Sequence, residues 1–194
     1  MASYDFRSLA RRIERTGVDA VVLSGCVCAN GLQLVTDLRA ALGSGPTIVG
    51  TDNFADRADE FRTAFGRLGL LVASAGRAPE TMPTQGQRLL ARVAERRDPG
   101  DVDADVAYAA EAAELLIAAI ARSDGTRASV TRALIATHLR DSLIGPIAFD
   151  ANGDPTPSPI TINRVDAAVP HRNHRAPQGS VPERTYEPPA SLVQ

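Results

Sequence analysis

The sequence has no Trp and no Lys, and aromatic side chains make up only 4% of its 194 residues. All 21 basic side chains are therefore Arg; with the abundant Ala this reads as GC-rich coding, so Arg by itself is a poor clue to function. Cysteine is nearly absent too. Cys26 and Cys28 are separated by one residue, too close to staple distant parts of a fold and too few to make a metal site alone, and they read as reduced small side chains. No apolar run approaches the roughly 20 residues a membrane helix needs. Met1 to Asp5 lacks a basic stretch followed by an apolar core, so the expectation is no export signal and, as written, a cytoplasmic chain without membrane insertion. A formal charge of −2 provides no long-range positive field, which argues against nucleic acid as a partner. Neither G-x-G-x-x-G nor a P-loop follows any strand-like run, and there is no G-x-S-x-G elbow. No cofactor and no enzymatic activity are therefore expected.

The order of patterns in the sequence is more informative. Phe6, Leu9, Ala10 and Ile13 fall at helical spacing behind Asp5, a candidate N-cap, and Gly17 ends the segment. Val18 to Leu23 reads as a strand buried on both faces. Asn30 can cap a second helix with Leu34, Val35, Leu38 and Leu42 inward, followed by a strand at Pro46 to Gly50. Phe54, Ala58, Phe61 and Phe65 mark a third helix, and Gly69 to Ala73 a third strand. Such alternation with short connections implies parallel strands and an open α/β sheet covered by helices on both faces. Leu89, Leu90 and Val93 mark a further helix. The clearest helix runs from Val102 to Ala121, its expected inner face being Val106, Ala109, Ala110, Ala113, Leu116, Ile117 and Ile120. Another helix follows from about Arg127 to His138. Ile144 to Phe149 and the run from Ile160 to Val165 then read as a C-terminal hairpin around Asn152-Gly153. Residues 1–166 thus form the α/β region, and the proline-rich stretch 167–194 is expected to be a disordered tail.

Several constellations have plain structural explanations. Asp150-x-Asn152-x-Asp154 resembles the start of a calcium loop, but Pro155 and Thr161 stand where that loop needs Gly and Glu, which leaves a polar turn. His171 and His174 lie on the expected tail, and His138 near a helix end. In open α/β sheets ligands bind beyond the carboxyl ends of strands, here Ser24 to Val27 and Thr51 to Asn53. Asp52 is the only carboxylate at such an end, where it can hold a ligand ammonium group or cap the following helix.

Tyr4 to Asn53, with its Gly17-Val18-Asp19-Ala20-Val21 strand, the helix opening at Tyr108-Ala109-Ala110, and above all Gly145-Pro146-Ile147-Ala148-Phe149-Asp150-Ala151-Asn152-Gly153-Asp154, resemble one family: the type I periplasmic binding proteins, in particular the branched-chain amino acid (Leu/Ile/Val) substrate-binding proteins of ABC transporters. The resemblance covers about residues 4–166 and only the C-terminal half of the family's two-lobed fold. It implies that residues 4–75 belong to the second lobe, that the long helix belongs to the first, and that the hairpin lies near the crossover. It also implies non-catalytic binding of an amino acid or similar small molecule by hinge closure, with an ABC permease or a separately encoded front half as partner. By position, Cys26 falls where relatives often place an aromatic contact and Asp52 where an acidic residue pairs with the ligand's α-ammonium group; the two are the expected ligand-binding residues. The alternative expectation is a cytoplasmic metabolite-sensing or regulatory module with the same fold.

Overall fold

The computed structural model describes residues 5–24, 30–54, 67–97, 102–165 and 180–188. The chain falls into two compact units, one formed by Met1–Ser74 with Thr161–Arg184, the other by Ala75–Ile160 with Thr185–Gln194.

The first unit is built on α1 (Arg7–Glu14), β1 (Ala20–Leu23), α2 (Gly31–Leu42), β2 (Thr47–Thr51), a 3-10 turn (Asp52–Phe54) and β3 (Leu70–Ala75), later joined by β7 (Ile160–Val165) and β8 (Ser180–Tyr186). Their sheet has the order β1-β2-β3-β7-β8. β1, β2 and β3 run parallel, with Val21 beside Ile48 beside Leu70, and Leu23 beside Gly50 beside Val72. That register places these side chains on one face. There they meet Ala10 and Ile13 of α1 and Val35, Leu38 and Leu42 of α2. Leu38, Ile48, Leu70, Val35 and Val72 are fully buried, each contributing about 1.5–3 kcal/mol relative to exposure.

Two buried or half-buried polar groups tie this unit together. Asp37 of α2 accepts the Phe6 backbone N–H at 2.9 Å and the Gln33 amide at 2.7 Å, so α2 is tied to the start of α1. The Arg39 guanidinium donates to the carbonyls of Leu68 (2.5 Å), Pro46 (2.6 Å), Gly69 (3.1 Å) and Gly43 (3.2 Å), and burial lowers its pKa. These bonds pin both loops that lead into β2 and β3.

The N-cap of α1 is Phe6 and not the expected Asp5, although Asp5 Oδ1 accepts the Arg7 backbone N–H at 2.9 Å. Its carboxylate also receives the Arg7 guanidinium at 2.9 and 2.8 Å, and these side-chain bonds, followed by the backbone bond, lower its pKa from 3.8 to about 2. A depressed carboxyl pKa stabilises the folded state above the unfolded value, and the contribution is lost as pH falls from about 4 toward 2. An NMR titration of the Asp5 carboxyl carbon is expected to show a midpoint near 2, returning toward 3.8 in Arg7→Ala. A midpoint unmoved by that substitution would exclude Arg7 as the cause.

The second unit contains a 3-10 turn (Pro79–Thr81), α3 (Thr84–Ala94), α4 (Ala104–Ala121), α5 (Arg127–Ile135) and a small antiparallel sheet, β4 (His138–Leu139), β5 (Ile147–Phe149) and β6 (Pro155–Thr156), in that order. Its core is Met82, Leu90, Val102 and Ala107, with Val93, Tyr108 and Ile144 packed on it. Asp103 caps α4, accepting the Asp105 N–H at 2.9 Å. Glu111 of α4 is buried and accepts the Leu143 N–H at 2.7 Å.

Several expectations are corrected. β1 is not buried on both faces: Val22, on the face opposite α1 and α2, is 71% exposed, and among the described strands β1 stands at the edge of the sheet. The partner of β5 is β6; Ile160–Val165 instead joins the main sheet beside β3, because the prolines at 155, 157 and 159 end the hairpin early. α5 stops at Ile135, and His138 begins β4. The long helix buries Ala107, Glu111, Leu115 and Ala119, leaving Leu116, Ile117 and Ile120 on the outside. Within the stretch expected to be a disordered tail, Ser180–Tyr186 forms β8 beside β7, supported by an Arg164–Glu183 ion pair at 3.4 Å. Pro182 is tolerated there because β8 is an edge strand. The expected helix positions 58, 61 and 65 and the two histidines at 171 and 174 lie outside the described residues.

Candidate functional site

The carboxyl ends of the parallel strands are where backbone and side chains can face a ligand without breaking the sheet. β1 ends at Leu23, level with Gly50, so Ser24 continues to the level of Thr51, and Thr51 in turn lies beside Ala73. One residue further, β2 turns abruptly into the Asp52–Phe54 3-10 turn. Gly50 makes that turn possible. A Cβ at Gly50 would lie 2.6 Å from the Phe54 ring, so only glycine lets Phe54 fold back over the strand into the core.

Phe54 is buried and Asp52 exposed, and the turn therefore holds the carboxylate outward. Asp52 Oδ1 accepts the Asn53 N–H at 2.9 Å, a bond local to the turn. Among the described residues no cation pairs with Asp52. The carboxylate is thus anchored by its neighbour, and no side chain among the described residues supplies it a counter-ion. Thr51, just before it, has a buried Oγ1 with no hydrogen-bond partner among the described residues. Sequence reasoning placed Thr51 in this strand-end segment but singled out only Asp52; the signal for Thr51 was a polar residue closing an apolar strand. Cys26, the other expected ligand residue, lies outside the described residues.

Other sequence candidates resolve into structure. Asp150 Oδ1 accepts the N–H groups of Asn152 (2.8 Å) and Asp154 (2.9 Å), closing the turn between β5 and β6 from within. Among the described residues no three His, Cys, Asp or Glu side chains gather as a metal site. A hollow of about 520 Å³ is lined by Arg39, Gly43 to Thr47, Arg67 to Gly69 and Leu71. It lies at the amino ends of β2 and β3, opposite Asp52, and its Arg39 is already committed to four carbonyls. No helix among the described residues is long and apolar enough to cross a membrane.

A family model described as periplasmic binding protein matches residues 1–170. No curated protein sequence matches the chain. Solved structures match it in fold. A leucine-binding protein from Thermotoga maritima is 20% identical with a TM-score of 0.70, over 96% of this chain and 50% of that one. A fatty acid ABC transporter substrate-binding protein from Thermomonospora curvata is 19% identical with a TM-score of 0.64, over 98% and 49%. A branched-chain amino acid transporter substrate-binding protein from Streptococcus pneumoniae, in complex with isoleucine, is 18% identical with a TM-score of 0.57, over 95% and 49%. The chain spans about half the length of these solved relatives.

Proposed function

Because the chain belongs to the periplasmic binding protein family, we propose that it forms the ligand-holding part of an ABC-transporter substrate-binding protein for a small amino acid of the branched-chain type. Binding is non-catalytic: two lobes close on the ligand and present it to a membrane permease. The observation that carries this reading is Asp52, an exposed carboxylate at the carboxyl end of β2 whose charge no described side chain neutralises. A ligand α-ammonium group would supply the missing cation through charge-assisted hydrogen bonds, while the unpartnered Thr51 hydroxyl lies at the same strand end. Cys26, two residues past Ser24, is proposed as a second contact from the end of β1.

Solved relatives include proteins described as binding leucine and as transporting fatty acid, so the fold alone does not select the ligand. Asp52 supports an amino acid over a fatty acid, since it would repel a fatty-acid carboxylate and attract an α-ammonium group. Titration calorimetry and thermal shift against leucine, isoleucine, valine and octanoate test this. The expected result is stabilisation by at least one of the three amino acids and none by octanoate. Asp52→Ala should weaken amino-acid binding by about 10- to 100-fold, the equivalent of a lost hydrogen bond to a charged group. Asp52→Ala with undiminished affinity would remove Asp52 from the site, and silence toward all three amino acids would remove the reading for this chain by itself.

A further inference from the structure

The turn between β5 and β6 carries the pair Asn152-Gly153, which the ligand site leaves unused. Asn152 is exposed, and among the described residues its side-chain amide has no hydrogen-bond partner. Gly153 follows at φ +90°, where an added Cβ would meet no atom within 4 Å, so its backbone nitrogen can be approached without crowding. An amide carbon and the backbone nitrogen of the next residue can close a five-membered ring. What restrains them is the turn itself. Asp150 Oδ1 accepts the N–H groups of Asn152 at 2.8 Å and Asp154 at 2.9 Å, while the Asp150 N–H donates to the Asp154 carbonyl at 3.0 Å. The Gly153 N–H donates to the Asp150 carbonyl at 3.1 Å, which occupies the proton that must leave before the nitrogen can attack. All four bonds run between residues 150 and 154, so the turn can open without disturbing the helices of its unit.

We propose that Asn152 is a site of spontaneous deamidation and that Asp150 gates it. The Gly153 nitrogen attacks Asn152 Cγ and a new N–C bond closes a succinimide. The Cγ–Nδ2 bond breaks, and Nδ2 leaves as ammonia with the proton that Gly153 gives up. Water then opens either imide carbonyl. Opening at Cγ leaves an aspartyl side chain at position 152, whereas opening at the main-chain carbonyl leaves an isoaspartyl link whose backbone runs through the former side chain. Both products add a carboxylate between Asp150 and Asp154, neither of which has a cation partner among the described residues. The isoaspartyl link also lengthens the backbone ahead of Gly153, so the bonds from Gly153 and Asp154 back to Asp150 lose their geometry. β6 pairs with β5 only at Ala148–Thr156 and Phe149–Pro155, and its register depends on this turn. Because ammonia is lost, the change runs one way, and the turn records the age of each molecule. None of this depends on the ligand assigned above.

The test incubates the purified full chain in mildly alkaline oxygen-18 water, which marks acid formed before digestion, and follows it by tryptic mass spectrometry. Cleavage after Arg140 and Arg164 places Asn152 and Asn163 on one peptide, so the fully buried Asn163 is an internal reference. The expected result is labelled acid accumulating at 152 and not at 163, with the isoaspartyl form identified by electron-transfer fragmentation. Asp150→Ala removes the acceptor of two turn bonds and should speed conversion by about 5- to 10-fold, the equivalent of a lost hydrogen bond. Asp150→Asn keeps an acceptor oxygen in the same place and should stay near the parent rate. Acceleration at 152 without conversion at 163 marks the opening as local, whereas conversion at both positions in Asp150→Ala would overturn the gate in favour of general unfolding. The chain unfolded in guanidinium chloride is the positive control. Conversion there with none in the folded chain would overturn the site. Equal rates in the parent and Asp150→Ala would overturn the gate, and so would equal acceleration by Asp150→Ala and Asp150→Asn.

Discussion

Gly86→Ala is expected to lower the stability of the second unit by about 3 kcal/mol, near the upper end of the usual overpacking range. A Cβ at Gly86 would sit far inside contact distance of the Leu143 carbonyl oxygen and 3.1 Å from its carbonyl carbon. The obstacle is backbone and cannot rotate away. Nor can Leu143 easily retreat, since its own N–H is held by buried Glu111 at 2.7 Å and the Ile144 N–H of the obstructing peptide donates to Ser142 Oγ at 3.2 Å. α3 would have to move outward, loosening Met82 and Leu90 from the core they share with Val102 and Ala107. Helix propensity opposes the loss by only about 1 kcal/mol, so sterics decide the sign. In thermal unfolding the variant should melt roughly 10 °C or more below the parent. Gln85→Ala, one residue away on the exposed side of α3, should melt at or slightly above the parent. Equal melting temperatures for Gly86→Ala and the parent would mean that α3 and the Leu143 turn are not in this contact.

Asn163→Asp should produce the second large effect, with a distinctive pH dependence. Asn163 is fully buried in β7 and its Nδ2 donates toward Ser74 Oγ at 3.2 Å, the Thr161 carbonyl at 3.4 Å and the Val72 carbonyl at 3.5 Å. Its Oδ1 has no partner. A carboxylate there would face two carbonyl oxygens with no donor of its own, and a single hydroxyl. Burial would therefore raise its pKa above the unfolded value of about 3.9, keeping it protonated in the folded state. Stability from a raised pKa is present below the unfolded value and is lost as pH rises through the folded one. The deficit relative to the parent should thus grow by up to about 1.4 kcal/mol per pH unit above pH 4 and exceed about 3 kcal/mol at neutrality. Urea unfolding at pH 4, 5, 6 and 7 measures it, and a deficit independent of pH would contradict the burial argument. Asn163→Leu, which removes the orphan oxygen together with three long bonds, should stay within about 1 kcal/mol of the parent.

The parallel core was legible in the sequence because each of its strands is a short β-branched or leucine run closed by glycine or a turn, and because the connections are too short for other topologies. Asp52 was legible for a related reason: a lone carboxylate just past such a run must stand at the carboxyl edge. What failed was knowledge of which apolar faces have partners. The stripe Ala109, Ala113, Leu116, Ile117 and Ile120 is as periodic as any inner face, yet Ala107, Leu115 and Ala119 are inward, around a glutamate that binds the Leu143 backbone. Val18 to Leu23 reads as doubly buried because its composition is that of a central strand, although among the described strands it stands at the edge. Asn163 was not anticipated either, since Thr161 and Asn163 alternating with Ile160 and Ile162 suggest the wet face, and only the approach of Ser74 on β3 explains it.

The seating of Phe54 over Gly50 bears on more than the core. A carboxylate on a mobile loop loses conformational freedom when it captures a ligand, and that loss is subtracted from affinity. Here the ring two residues along is already sunk among buried side chains, so the backbone carrying Asp52 is immobilised by folding itself. For the ligand contact proposed at Asp52, preorganisation of this kind would shift the cost of recognition from the encounter with a ligand to the folding of the chain.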